Sequence, residues 1–174
     1  MRVFLTRLYQ AAGILSAGLI AAICLLVSAQ IVLNGLGRLF PGTFPTTIPS
    51  YADFSGFMLA GSTFLAMAYT LRSGGHIRVN LIVQRLPAPL MLAAEALSLT
   101  LALLFTGIAL WFSAALVQES LHYGDVSTGI IPVPLWIPQT PMVVGLGLLM
   151  IALLHTLFDL VQTRSSVLTT ADEV

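Results

Sequence analysis

His155 and Asp159, four apart, are the two residues of this 174-residue chain whose types and spacing come nearest to a reactive pair. On a helix they share one face. That supports a hydrogen-bonded pair near a membrane surface and, in the competing reading, a metal or proton site. The other histidines, His76 and His122, fall in distant segments, on opposite sides of the membrane once the apolar stretches are threaded through it. A bis-histidine haem needs two imidazoles facing each other at one depth, and these do not meet that condition. Cys24, the single cysteine, lies inside the first apolar run and reads as a packed core thiol. No nucleophile-base-acid constellation appears, and no enzyme activity or cofactor is expected.

The elements that must position these residues are visible in the gaps between charges. Arg7 to Arg38, Asp53 to Arg72, Glu95 to Glu119 and Asp125 to Asp159 enclose no charged residue. At a rise of about 1.5 Å per residue, roughly 20 apolar residues cross a hydrocarbon core, so each gap holds one spanning helix. The spans are set at about 11–33, 52–71, 90–117 and 139–161. Helices are favoured over strands because lipid-facing backbone must pair internally and the runs lack the alternation of a membrane barrel. The expectation is an all-α integral membrane protein forming a single domain over 1–174. At 57% hydrophobic and 8% charged residues it has no credible water-soluble core. No basic patch with interleaved aromatics supports nucleic-acid binding.

Orientation follows from arginine. Arg2 and Arg7 precede the first span, Arg72, Arg78 and Arg85 join the second to the third, and Arg164 follows the fourth; Arg38 alone lies opposite. By the positive-inside rule both termini are cytoplasmic. Val27-Ser28-Ala29 loosely imitates a secretory cleavage site, but the apolar run continues through Leu33, which favours a retained helix.

The connections carry further expectations. Asn34 to Tyr51, with Gly35, Gly37, Pro41, Gly42, Pro45 and Pro49, reads as irregular backbone. Ser50 and Asp53 have the spacing of a capping box at the second helix, with an ion pair to another subunit as the alternative role for Asp53. Gly74-Gly75 suits a left-handed helix end. His76 to Leu86 alternates apolar and polar residues as a short interfacial helix would, ahead of Pro87 and Pro89. Glu95 falls in the first turns of the third helix, where a carboxylate complements the dipole. Gln118 to Pro138 is acidic and proline-rich, stiff without regular structure, and Trp136 suits the interface. Trp111, deeper, fits core or lipid contact. Gly13, Ala17, Ala21 and Ala52, Gly56, Ala60 make smooth ridges for close helix contact, inside the chain or with another protein.

The middle of every span lacks acidic, basic and histidine residues. Transporters and channels keep such groups there for their cargo, so the chain reads as an accessory membrane subunit. A stand-alone oligomeric transporter would require a mid-membrane carboxylate, and a redox anchor would require paired histidines.

Two blocks resemble a known family, the small permease subunits (DctQ-like) of tripartite ATP-independent periplasmic, or TRAP, transporters. In the block from Gly61 to Asn80, His76-Ile77-Arg78-Val79 is similar to the family's His-Ile-x-Val segment after the second helix. The second block runs from Ser127-Thr128-Gly129 through Pro134-Leu135-Trp136-Ile137-Pro138 into Pro141 and Gly145. Asn80 stands where the family often has Asp, and Asp53 where it often has Glu. The resemblance implies an inner-membrane complex with a large elevator-type permease, served by a periplasmic substrate-binding protein. Uptake of an organic anion would be driven by a sodium gradient, with sodium held in the large subunit. By their side of the membrane, Arg72, His76 and Arg78 are placed for contact with lipid headgroups or the large subunit, and Asp53, Glu119 and Asp125 lie on the outer side, where a delivered binding protein could touch them.

Overall fold

A computed structural model describes residues 2–73 and 87–163. Four helices account for most of them: α1 (Arg2–Leu39), α2 (Tyr51–Arg72), α3 (Ala88–Tyr123) and α4 (Trp136–Thr163). All four are long and apolar enough to cross a membrane. Among the described residues there is no strand, only an isolated bridge between Val126 and Pro134. The proposed interfacial helix from His76 to Leu86, the Gly74-Gly75 helix end and Arg164 lie outside the described residues.

The helices do not pack in sequence order. α1 runs along α2, α2 along α4, and α4 along α3, giving the spatial series α1-α2-α4-α3. In their most apolar windows α2 and α4 are each 28% buried, against 11% in α1 and 6% in α3. α2 and α4 therefore form the internal core, with α1 and α3 as flanks. Lipid can solvate the open sides of the flanks without penalty.

The α2–α4 seam is built by small residues. Gly145 lies so close to the Phe64 backbone that a side chain there would collide with its carbonyl. A Cβ on Gly61 would stand 3.4 Å from Pro141 and from Leu19. Nearer Arg72, Ala68 and Ala152 are buried against Tyr9. α1 is tied to α2 in mid-bundle by the Ser16 hydroxyl, which donates to the Ser62 carbonyl at 2.7 Å.

The helices outrun the expected spans, most clearly in α1, which continues from 33 through Gly35 and Gly37 to Leu39. These glycines are helical instead of turn-forming because the following segment folds back onto α1. The methyl of Thr46 occupies the space a Gly37 side chain would need, 2.6 Å from an ideal Cβ. Buried Gln30 clamps the same segment, donating to the Thr46 carbonyl at 3.2 Å and accepting from Ile48 N–H at 2.7 Å. The reversal falls at Gly42, whose φ of 84° suits glycine. α3 likewise continues past 117 to Tyr123 and ends at left-handed Gly124.

The expected capping box does not form. Ser50 is left-handed, with φ 55°, and makes no side-chain cap bond to α2. Its hydroxyl instead accepts the Ile131 N–H at 2.9 Å.

Candidate functional site

Polar chemistry collects at the two ends of the α2–α4 core. At one end Arg72, the last residue of α2, reaches across to α4. Its Nη1 lies 3.4 Å from Asp159 Oδ2 and donates to Thr156 Oγ1 at 3.2 Å. The Thr156 hydroxyl donates its own proton to the Ala152 carbonyl, so it can only accept from the guanidinium. Thr156 is fully buried, Asp159 nearly so, and the Arg72 side chain keeps 30% of its surface exposed. The cation also sits at the negative end of the α2 dipole.

His155 Nε2 stands 3.7 Å from the same Asp159 oxygen, too far for a hydrogen bond, and its Nδ1 is buried without a partner. The expected His155–Asp159 hydrogen bond is thus a proximity at this distance, and Arg72 donates a hydrogen bond to the carboxylate. Among the described residues no group of three His, Cys, Asp or Glu could hold a metal ion. Tyr9 closes the cluster from α1, 3% exposed, packed on Ala68 and Ala152, with its hydroxyl unpartnered.

At the opposite end the α3–α4 connection forms a small hairpin over the start of α2. Ser127 N–H donates to the Val133 carbonyl at 2.8 Å and Leu135 N–H to that of Asp125 at 2.9 Å. Gly129 rests on Ser50 and Asp53; a Cβ there would strike the Asp53 carboxylate and lie 2.8 Å from Ser50 Oγ. Asp53 is half-buried beneath the hairpin, whereas Glu119 and Asp125 are exposed. Ile130 projects from the hairpin 80% exposed, near in sequence to exposed Ile131, and an edge-to-face pair, Phe40 and Phe44, is exposed on the α1–α2 connection.

Of the site residues expected from sequence, Arg72 is turned into the chain's own α2–α4 seam, and His76 and Arg78 lie outside the described residues. Cys24 is exposed on α1, not packed in the core. Trp111 is exposed on α3. In the small-residue ridges, Gly13 supports the Tyr69 ring, 2.9 Å from an ideal Cβ, while Ala17, Ala21, Ala52 and Gly56 face away from the chain's other helices. Sequence reasoning missed Tyr9 and the Arg72–Asp159 bridge. Opposite charges near the same-side ends of the second and fourth spans were the available signal.

Residues 23–163 match the family model "Tripartite ATP-independent periplasmic transporters, DctQ component". The chain belongs to the DctQ family. Comparisons with curated proteins and with solved structures returned no match. DctQ is a transporter-component family, not an enzyme family, and its members work with a large permease and a substrate-binding protein. With four apolar helices, membership makes this a multi-pass inner-membrane protein.

Proposed function

We propose that this DctQ component is the stationary brace of its transporter: it holds the scaffold of an elevator-type large permease and enlarges the surface that receives the substrate-binding protein. The cargo is an organic anion, imported on a sodium gradient, with the sodium and substrate sites in the large subunit. Both termini and Arg72 are cytoplasmic, and the Asp53 end is periplasmic, in keeping with the arginine distribution.

One observation carries this reading. Asp159 and Arg72 engage each other near one end of the bundle, and the middle of each span offers no acidic, basic or histidine side chain to an ion or an anion. Exposed Glu119 and Asp125 are available to a docking binding protein, while Asp53 supports the hairpin beside them. Arg72 acts inside the small subunit, leaving His76 and Arg78 as the basic-loop candidates for lipid or large-subunit contact.

The test is co-expression with the tagged large permease, followed by detergent extraction and affinity purification. Stoichiometric recovery of this chain is expected; its absence from the purified permease would sink the reading. Cysteine labelling from each side of the membrane checks orientation, with a residue at 125 reacting from outside in intact cells.

A further inference from the structure

Tyr9 against Ala68 and Ser16 against Ser62 fix α1 and α2 as an antiparallel pair, and the 2.7 Å hydrogen bond between the two serines marks one level in it. From that level α2 rises about 17 Å to its start at Tyr51, while α1 rises about 35 Å to its end at Leu39. α1 therefore overshoots its neighbour by about 18 Å. α2, about 32 Å long with Asp53 and Arg72 near its ends, already matches a hydrocarbon core of about 30 Å. Headgroups add only about 5–8 Å on that side, so the tip of α1 stands clear of the lipid as a post.

A post standing in water should be polar, and this one is not. Leu39 at its tip is 73% exposed, Phe40 and Phe44 are exposed beside it as an edge-to-face pair, and Arg38 is the one charged residue between Arg7 and Asp53. The tip is also firmly built: Thr46 fills the notch at Gly37, and Gln30 clamps Thr46 and Ile48. Lipid tails can cover exposed Ile14 and Leu25 lower on α1, but they do not reach this cluster. A contiguous apolar patch held in water marks a contact with another protein.

We propose that Leu39, Phe40 and Phe44 form a docking site, outside the bilayer on the Asp53 side, for an apolar extramembrane surface of the large permease. This rests on the brace reading above and adds to it an address. Two observations select the occupant. The post continues the lipid-embedded part of α1, so a membrane subunit lying along α1 meets it directly. A lasting subunit contact is apolar at its core, whereas an encounter renewed with each delivery is steered by charge, which the tip lacks apart from Arg38 and which exposed Glu119 and Asp125 offer elsewhere.

The experiment combines Leu39→Ser, Phe40→Ser and Phe44→Ser in one chain and co-expresses it with the tagged permease, beside the wild type and Ile130→Ser, which removes an exposed apolar side chain from the hairpin at the same end. The triple variant should lower recovered complex about tenfold, as loss of an apolar anchor does, and Ile130→Ser should leave it unchanged. In parallel, benzoylphenylalanine in place of Phe40 is photolysed in membranes holding the permease and the binding protein, and a product joining this chain to the permease is expected. Wild-type recovery by the triple variant, an equal loss from Ile130→Ser, or photoproducts solely with the binding protein, a second copy of this chain or lipid would each overturn the proposal. If the triple variant fails to accumulate or melts early when purified alone, the photoproduct decides. If the wild type itself fails to co-purify, the brace reading fails and this inference with it.

Discussion

The two seams of α4 follow different rules. Toward α2 it presents Gly145, Pro141, Ala152, Thr156 and Asp159, which allow backbone contact at Phe64 and an ion pair with Arg72. Toward α3 the contacts are mainly leucines: Leu99 buried with Leu153 and Leu160, and Leu92, Leu103, Leu149 and Leu157 packed around them. Lipid solvates leucine as well as another leucine does, so apolar burial alone gives the second seam little preference for protein over bilayer. Close backbone approach and a polar bridge have no equivalent in lipid tails. The α2–α4 seam therefore specifies the fold, and α3 is a flank whose geometry is less firmly fixed by this chain.

The sharpest way to break that contrast is to fill the close approach. Gly145→Leu should destabilise the chain by about 2–3 kcal/mol or prevent its accumulation, because the obstruction is Phe64 backbone and cannot rotate away. Loss of recovery from the membrane, or a fall in melting temperature in detergent, would register it. A Gly145→Leu variant as stable as wild type would remove the distinction between the seams.

Next in size is the polar bridge. Arg72→Ala and Asp159→Ala should each cost about 1–3 kcal/mol, less than a fully buried pair because Arg72 remains partly exposed. The double variant should lose less than the sum, a coupling that a double-mutant cycle reads directly. On the other seam, Leu99→Ala should cost only about 1 kcal/mol, since lipid or neighbouring leucines can refill the space. If Leu99→Ala proves the more damaging of the two, α3 is a core element and the comparison is inverted.

The spans and their number were legible because charges in hydrocarbon are expensive and therefore mark the ends of apolar runs. Their limits were less so. Gly35 and Gly37 carry local turn propensity, but Gln30 and Thr46 hold the returning chain against a continuous helix. Ser50 has the right spacing for a cap, yet its hydroxyl is taken by Ile131, a residue 81 positions away. Arg72 reads as a lipid-facing loop cation until α4 is known to lie beside α2. Each difference arises from a tertiary neighbour that local pattern does not encode. The small-residue ridges were visible, but not that Ala52 and Gly56 face outward while Gly145 carries the close internal contact.

Smaller effects should come from the Asp53 end. Ser50→Ala leaves the Ile131 N–H without its acceptor and should cost about 1 kcal/mol, seen as faster proteolysis of the hairpin with the helical content unchanged. Charge reversal at exposed Glu119 and Asp125 should leave stability and assembly alone and weaken uptake several-fold at low salt, where charge steering is least screened. Asp53 reversal should weaken uptake and also lower stability, because that carboxylate supports Gly129.

The most direct measurement is uptake by reconstituted vesicles under an inward sodium gradient, using as tracer the organic anion retained by the cognate binding protein. This chain alone should give no uptake above protein-free vesicles, and uptake should appear when the large permease and the loaded binding protein are added. Gradient-driven accumulation by this chain alone would show that it carries cargo itself and would contradict its assignment as a brace.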